Sequence, residues 1–411
     1  MATRAILVLA ALAFSAGADL EAGCVPDDGS RDLKLVHVVV VHRHGDRTPI
    51  SQKAPSYIQG LEETAFWEGT VPALDTIEQV GALNVDATGT FKLRDLKFPN
   101  GHLTHVGASG MRAVGEALRQ SYVTDLNFLP ATLPADSSHV VRVRSTRYPR
   151  TFQSVQNLLS ALYPHAQRDL AADGSGGRIA IASMNKTSDF MTGPSEERCP
   201  RLASMNWKSG KGETLPEGIQ RIAQRAQVNE DKPHWELVHL GEVATCHLAH
   251  KLPTPAALST EEVAQVQDYV ANRWAGRLAS DPVLTALVIG GFMEEIVKGV
   301  DDALATSSPL LQVYSAHDST VLPVLVALGT SFRGWPPYSS RIELQLLREA
   351  ASNEVFLRVK FQGESLNVLE KGDAREERSV LRRWDEVRQA VLANKPEDWK
   401  QACAAEAPAA A

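Results

Sequence analysis

The sequence has no excess of basic residues: 42 Lys and Arg stand against 49 Asp and Glu, a formal charge of −7 over 411 residues. A chain built to hold nucleic acid needs a cationic face, so that partner class is set aside. No apolar run reaches the roughly 20 residues that a bilayer requires, so no stable membrane span is expected. The one sustained run, residues 5–14, follows Met1-Ala2-Thr3-Arg4 and precedes Ser15-Ala16-Gly17-Ala18. That order of charged, apolar and small residues is the pattern of a signal peptide, here expected over residues 1–18 with cleavage after Ala18.

Cysteine is scarce. There are four, Cys24, Cys199, Cys246 and Cys403, and neither Cys-x-x-Cys nor His-Glu-x-x-His occurs. The usual zinc patterns are therefore absent, and His234, His239, His247 and His250 read as solvated or hydrogen-bonded side chains rather than metal ligands. An even cysteine count behind a secretory signal favours two disulfides, with three pairings open. Asp173-Gly174-Ser175-Gly176-Gly177 lacks the Lys-Ser/Thr pair of a nucleotide loop and reads as a turn. Asn185-Lys186-Thr187 is the single glycosylation sequon, in a stretch that reads as surface loop.

With 44% hydrophobic and 22% charged residues, the composition is that of a globular chain with a large core. Residues 35–41, rich in valine, read as a strand covered on both faces. Further strands are expected at 138–144 and 310–315, and each of the three runs into a polar loop and then a helix. Residues 341–347 and 354–361 alternate as an antiparallel hairpin, and 379–392 as a terminal helix. Helical patterns at 215–226, 242–250 and 259–278, without strong strands among them, read as an insertion. The expected fold is α/β: a central mixed, mainly parallel sheet flanked by helices, with a mainly helical cap. The core would take residues of about 32–170 and 281–400, and the cap about 171–280. Thr104, opening the helix after Gly101, reads as an N-cap.

The first strand exits into Arg43-His44-Gly45-Asp46-Arg47-Thr48-Pro49. Open α/β sheets bind ligands just past the carboxyl ends of their strands. Guanidinium groups match phosphate bidentately, and a histidine among them can attack phosphorus or transfer a proton. The segment resembles the RHGxRxP signature of the histidine acid phosphatases, the secreted branch of the histidine phosphatase superfamily. Arg144-Ser145-Thr146 and His317-Asp318, at the mouths of the other two strands, are similar to further motifs of that family, in the same order.

The resemblance implies metal-independent hydrolysis of phosphate monoesters at acidic pH through a phosphohistidine, with no cofactor. It makes His44 the nucleophile and Asp318 the proton donor, with Arg43, Arg47, Arg144 and His317 holding the phosphate oxygens. It also implies a disulfide from cap to tail, Cys199 with Cys403, which leaves Cys24 with Cys246 by default. The substrate would be a small phosphomonoester and the destination the exterior, a lysosome or a vacuole. Alternatives are a phytase or phosphosugar-specific phosphatase of the same family, or a phospholigand-binding protein without turnover.

Overall fold

The computed structural model describes residues 31–50, 60–73, 76, 84–86, 98–169, 177–185, 188–330, 332, 334–368 and 380–404. The expected signal peptide, Cys24 and the last two residues of the sequon lie outside the described residues. Strand β1, Leu33–Arg43, is the centre of the molecule. Its alternation sends Val38 and Val40 into one apolar core and Val39 and Val41 into the other. A strand buried on both faces can carry valine at four consecutive positions, and β1 does.

The other strands are β2 (Asn84–Asp86), β3 (Val141–Ser145), β4 (Ile179–Ser183), β5 (Leu311–Ala316), β6 (Arg341–Glu349), β7 (Val355–Phe361), β8 (Glu364–Leu366) and β9 (Leu381–Arg383). The sheet order is β2-β4-β3-β5-β1-β6-β7-β8, with β9 also on β7. From β2 to β1 all pairings are parallel, and from β1 to β6 and outward they are antiparallel. The mixed, mainly parallel sheet is thus present. Four strands have no counterpart in the sequence patterns: β2 lies in a stretch without periodicity, β4 inside the stretch expected to form the cap, β8 beyond the expected hairpin, and β9 at the start of the stretch expected as the terminal helix, which begins only at Trp384.

Helix α1 is Gly60–Thr70. Helices α2 (His105–Arg119) and α3 (Pro149–Leu162) cover one face of the sheet, burying Met111, Val114, Leu118, Val155 and Leu158. The cap helices α4 (Glu217–Arg225), α5 (Pro233–Ala249) and α6 (Thr260–Ser280) share the second core with α7 (Gly291–Thr306) and α8 (Asp318–Ala327). Helices α9 (Trp384–Leu392) and α10 (Trp399–Ala404) end the described chain. A disulfide joins Cys199, at the start of the cap, to Cys403 on α10, across 204 positions of sequence. The expected partner of Cys24 is corrected: Cys246 is a free thiol, fully buried on the inner side of α5 against Arg47 and Tyr338.

Three buried histidines make the fold sensitive to acid. His37 and His42, on β1, are pushed down to about 4 and His234, on α5, to about 3, each chiefly by burial. Unfolded, each would titrate near 6.5. Below that pH the unfolded chain binds protons that the native one refuses, so stability falls as pH drops toward about 4. The slope is up to about 1.4 kcal/mol per pH unit for each group. Urea midpoints should therefore decrease steadily between pH 7 and pH 4.5, and His37→Gln should flatten the profile. An unchanged midpoint would mean that these rings take up protons in the fold as readily as in the unfolded chain.

Candidate active site

The site lies where β1, β3 and β5 end together. Arg43 is opposite Ala316 across the β1–β5 pairing, and Ser145 is opposite Ser315 across β3–β5. The loops beyond stay in register, with His44 N donating to Ala316 O at 3.0 Å and Thr146 N to Ser315 O at 3.2 Å. The β1 exit loop also presses on the start of α2. A Cβ on Gly45 would fall 2.4 Å from Gly107 O, and one on Gly107 would fall 2.0 Å from Asp46 O. Only glycine at both positions permits that approach. Thr104 caps α2 by accepting from Gly107 N, as expected, and its hydroxyl donates to Asp46 Oδ2.

His44 is 2% exposed, and its Nδ1 is 2.8 Å from Gly45 O. A carbonyl can only accept, so Nδ1 carries the proton and Nε2 keeps its lone pair. Burial, then Arg150, Arg43 and Arg47, hold its pKa well below the usual imidazole range. His317, the N-cap residue of α8, is 5.5 Å away ring to ring and is depressed in the same way, by burial and then Arg150. Arg150 Nη2 donates to His317 Nδ1 at 3.3 Å, so Nε2 donates to Thr146 Oγ1 at 3.0 Å.

The arginines are held from behind. Arg43 Nη1 donates to Pro336 O at 2.7 Å, its Nη2 pairs with Asp318 Oδ2 at 2.7 Å, and its guanidinium lies 4.1 Å over the Tyr338 ring. Arg47 pairs with Glu242 of α5 and donates to Thr48 O. Asp318, the first residue of α8, also accepts from Ser319 N at 2.7 Å. Arg43, His44, Arg47, Arg150, His317 and Asp318 all line one cavity of about 780 Å³.

Arg144 does not belong to this set, and the expectation that it completes the cradle is corrected. Its side chain leaves β3 on the face opposite Val141 and Val143 and pairs with Asp189 at 2.5 Å and Glu295 of α7 at 2.7 Å. Arg150, in the first turn of α3, stands in the cavity instead. Burial and then Arg47 pull Arg150 down to about 10, so it stays charged at neutral pH. Its sequence signal is an arginine beside Pro149 at a helix start, a few residues past the strand exit. Glu242, Tyr338 and Cys246 carry no signal, since only the folding of α5 and the loop before β6 brings them to Arg47 and Arg43. Of the cap histidines, His234 is hydrogen-bonded to Trp274, His247 to Glu63 and Pro253, and His250 to Asp46, and the ring of His239 packs edge-on against Trp235 at 4.6 Å.

Arg144→Ala and Arg150→Ala separate the two arginines. Loss of Arg150 should reduce kcat/KM by about 10²- to 10³-fold, the usual effect of deleting one group that binds developing charge. Loss of Arg144 strands Asp189, which is fully buried, and should destabilise the protein by about 3 kcal/mol while kcat/KM of the folded fraction stays near wild type. Steady-state kinetics together with urea unfolding reads both; a larger kinetic loss for Arg144→Ala would return it to the cradle.

A mixed α/β sheet whose strand mouths gather guanidiniums, two imidazoles and one carboxylate around a cavity defines a protein that handles phosphate esters. Residues 34–362 match the model of the histidine phosphatase superfamily, branch 2, and the chain belongs to that family. It is 31% identical over 83% of its length to counting factor 60 of Dictyostelium discoideum, covering 82% of that protein. It is 26% identical over 80% of its length to human lysophosphatidic acid phosphatase type 6, covering 78% of it. Among solved structures, the Hafnia alvei phytase in complex with tartrate superposes with a TM-score of 0.59 at 12% identity, over 92% of this chain and 99% of that one. The protein is an acid phosphatase in the broad sense, a phosphoric monoester hydrolase.

Proposed function

We propose that the protein cleaves phosphate monoesters at acidic pH by transferring the phosphoryl group to His44 and then to water. The observation that carries this reading is the state of His44: one nitrogen committed to Gly45 O, the other unprotonated in a cavity ringed by three guanidiniums. Attack forms the Nε2–P bond as the P–O ester bond breaks. Arg43, Arg47 and Arg150 take up the charge on the equatorial oxygens, the task a metal ion performs elsewhere, and His317 joins them when a phosphate oxygen replaces Thr146 Oγ1 as the acceptor of its Nε2–H. The depressed affinity of His44 for protons keeps its lone pair available in acid, where an ordinary histidine would be mostly charged.

Asp318 supplies the proton to the departing alkoxide. An arriving phosphate engages Arg43, the present partner of Asp318, and so releases the carboxyl to face the departing oxygen. In the second half, water attacks phosphorus, its proton passes to Asp318, the N–P bond breaks and inorganic phosphate leaves.

The first test is chemical trapping. After mixing with a radiolabelled phosphomonoester and quenching in alkali, which preserves phosphohistidine, wild-type protein should carry label and His44→Ala none. Turnover without label on the wild-type chain would overturn the covalent route. We further infer passage through the secretory pathway to the exterior, a lysosome or a vacuole, with carbohydrate on Asn185. The Cys199–Cys403 disulfide, the exposure of Asn185 and the pattern of residues 1–18 support it. Unchanged gel mobility after N-glycosidase treatment would argue against the carbohydrate. A sequence relative is named a lysophosphatidic acid phosphatase and a fold neighbour a phytase, so these names leave the alcohol open.

A further inference from the structure

Glu242, Cys246 and His250 follow one another at intervals of four along α5 and so share a face, and that face meets the loop beyond β1. His250, the C-cap residue, donates from Nε2 to Asp46 Oδ2 at 2.7 Å. Cys246 Sγ lies 4.0 Å from Arg47 Nη1 and 3.3 Å from the hydroxyl of Tyr338, whose ring carries Arg43. Glu242 reaches furthest into the site. Its Oε1 accepts from Arg47 Nη1 and, at 3.0 Å, from Ile50 N. One carboxylate oxygen of the cap thus ties the guanidinium to the backbone three residues further along the same loop.

That contact decides which edge of the guanidinium is left for a ligand. Arg47 Nη1 is committed to Glu242 and to Thr48 O. The opposite edge, Nε with Nη2, is the one on which a guanidinium meets two phosphate oxygens side by side, and Nε is buried without a partner among the described residues. Burial opposes charge on Arg47, and Glu242, ahead of every other neighbour, restores it. The same charge works against anions. Glu242 lines the cavity, so a phosphate gripped by Arg47 shares its guanidinium with a carboxylate. Asp318 stands in that relation to Arg43. Two of the three guanidiniums around His44 therefore carry a carboxylate before any phosphate arrives, which weakens the hold of the three on it.

We propose that Glu242 is a positioning residue of the phosphate site, presented by the cap: it turns the Nε–Nη2 edge of Arg47 toward the phosphate, and its charge limits how tightly inorganic phosphate is retained. This rests on the cradle being the site of hydrolysis. Asp318 gives up its arginine to the substrate, whereas Glu242 keeps Arg47, because Ile50 N anchors the same oxygen.

Two substitutions separate geometry from charge. Glu242→Gln keeps an oxygen for Arg47 and Ile50 N and removes only the charge. Inorganic phosphate, titrated calorimetrically and as a competitive inhibitor, should then bind about tenfold more tightly, with kcat/KM for p-nitrophenyl phosphate within about threefold of wild type. Glu242→Asp keeps the charge and withdraws the oxygen by about one carbon–carbon bond, roughly 1.5 Å. It should bind phosphate no more tightly than wild type and lose about 10- to 100-fold in kcat/KM, the scale of a misplacement of that size. Thermal melts report folding, and each variant is read by itself, so one folded variant suffices. Unchanged or weaker phosphate binding in folded Glu242→Gln would overturn the role of the charge, and wild-type kcat/KM in folded Glu242→Asp the role of the geometry. A merely architectural Glu242 would lower both melting temperatures and move neither quantity, which would overturn the proposal as a whole. Wild-type protein that turns over no alkyl or aryl phosphate would overturn the hydrolytic reading instead, while the calorimetric comparison would still test the charge of Glu242.

Discussion

His44→Ala should lower kcat by about 10⁴- to 10⁶-fold, the range seen when a nucleophile that works with its partners as a unit is removed. The expectation rests on place and state. His44 sits in the loop beyond β1, its ring lines the cavity, and its Nε2 is left with a lone pair by the contact to Gly45 O. Neighbouring charge also bears on the ring, since Arg150, Arg43 and Arg47 all disfavour its protonation. Its removal should therefore leave inorganic phosphate bound about as well as before, because the three guanidiniums remain and lose no counter-charge. Calorimetric titration with phosphate and a thermal melt provide the control. A His44→Ala protein that melts normally, binds phosphate and still turns over within tenfold of wild type would remove His44 from the mechanism.

Asp318→Asn should divide substrates by their leaving groups. General acid catalysis contributes about 10²- to 10⁴-fold, and nearly all of that is at stake when the departing oxygen is a poor leaving group. An alkyl phosphate should be slowed by that amount, and p-nitrophenyl phosphate, whose phenolate departs unaided, by tenfold or less. Asparagine keeps the shape of the side chain and an oxygen able to accept from Ser319 N, so α8 should start as before. The substitution removes one partner of Arg43, whose other guanidinium nitrogen stays on Pro336 O, and phosphate affinity should hold or increase as a competing anion is lost. Equal losses on both substrates would point to a structural role for the carboxylate and to another acid.

Both predictions use residues that are legible in the amino-acid sequence itself. A run of valines flanked by histidines, then two arginines and a histidine around a glycine, is intelligible residue by residue: β-branched residues suit a strand buried on both faces, and clustered guanidiniums in a loop suit an anion. The strands ending near 144 and 315 and the hairpin after 341 are legible for the same reason, since a period of two is a local property. The Cys199–Cys403 bridge is available only through the family resemblance, because no spacing rule connects positions 204 apart.

Local patterns along the chain thus define the main strands, the loops that follow them, and the presence of His44, Arg43, Arg47, His317 and Asp318 at strand mouths. Which arginine after β3 enters the cavity is a matter of packing in three dimensions. Alternation along β3 turns Arg144 toward Glu295 and Asp189 on one side of the sheet, while the first turn of α3 aims Arg150 at His317. Packing also keeps Cys246 a thiol, since α5 buries it against Arg47 and Tyr338. It also brings β2 and β4 to one end of the sheet, β2 at the edge with three residues, too few to carry a periodic signal, and β4 beside it from within the stretch whose helical patterns read as the cap.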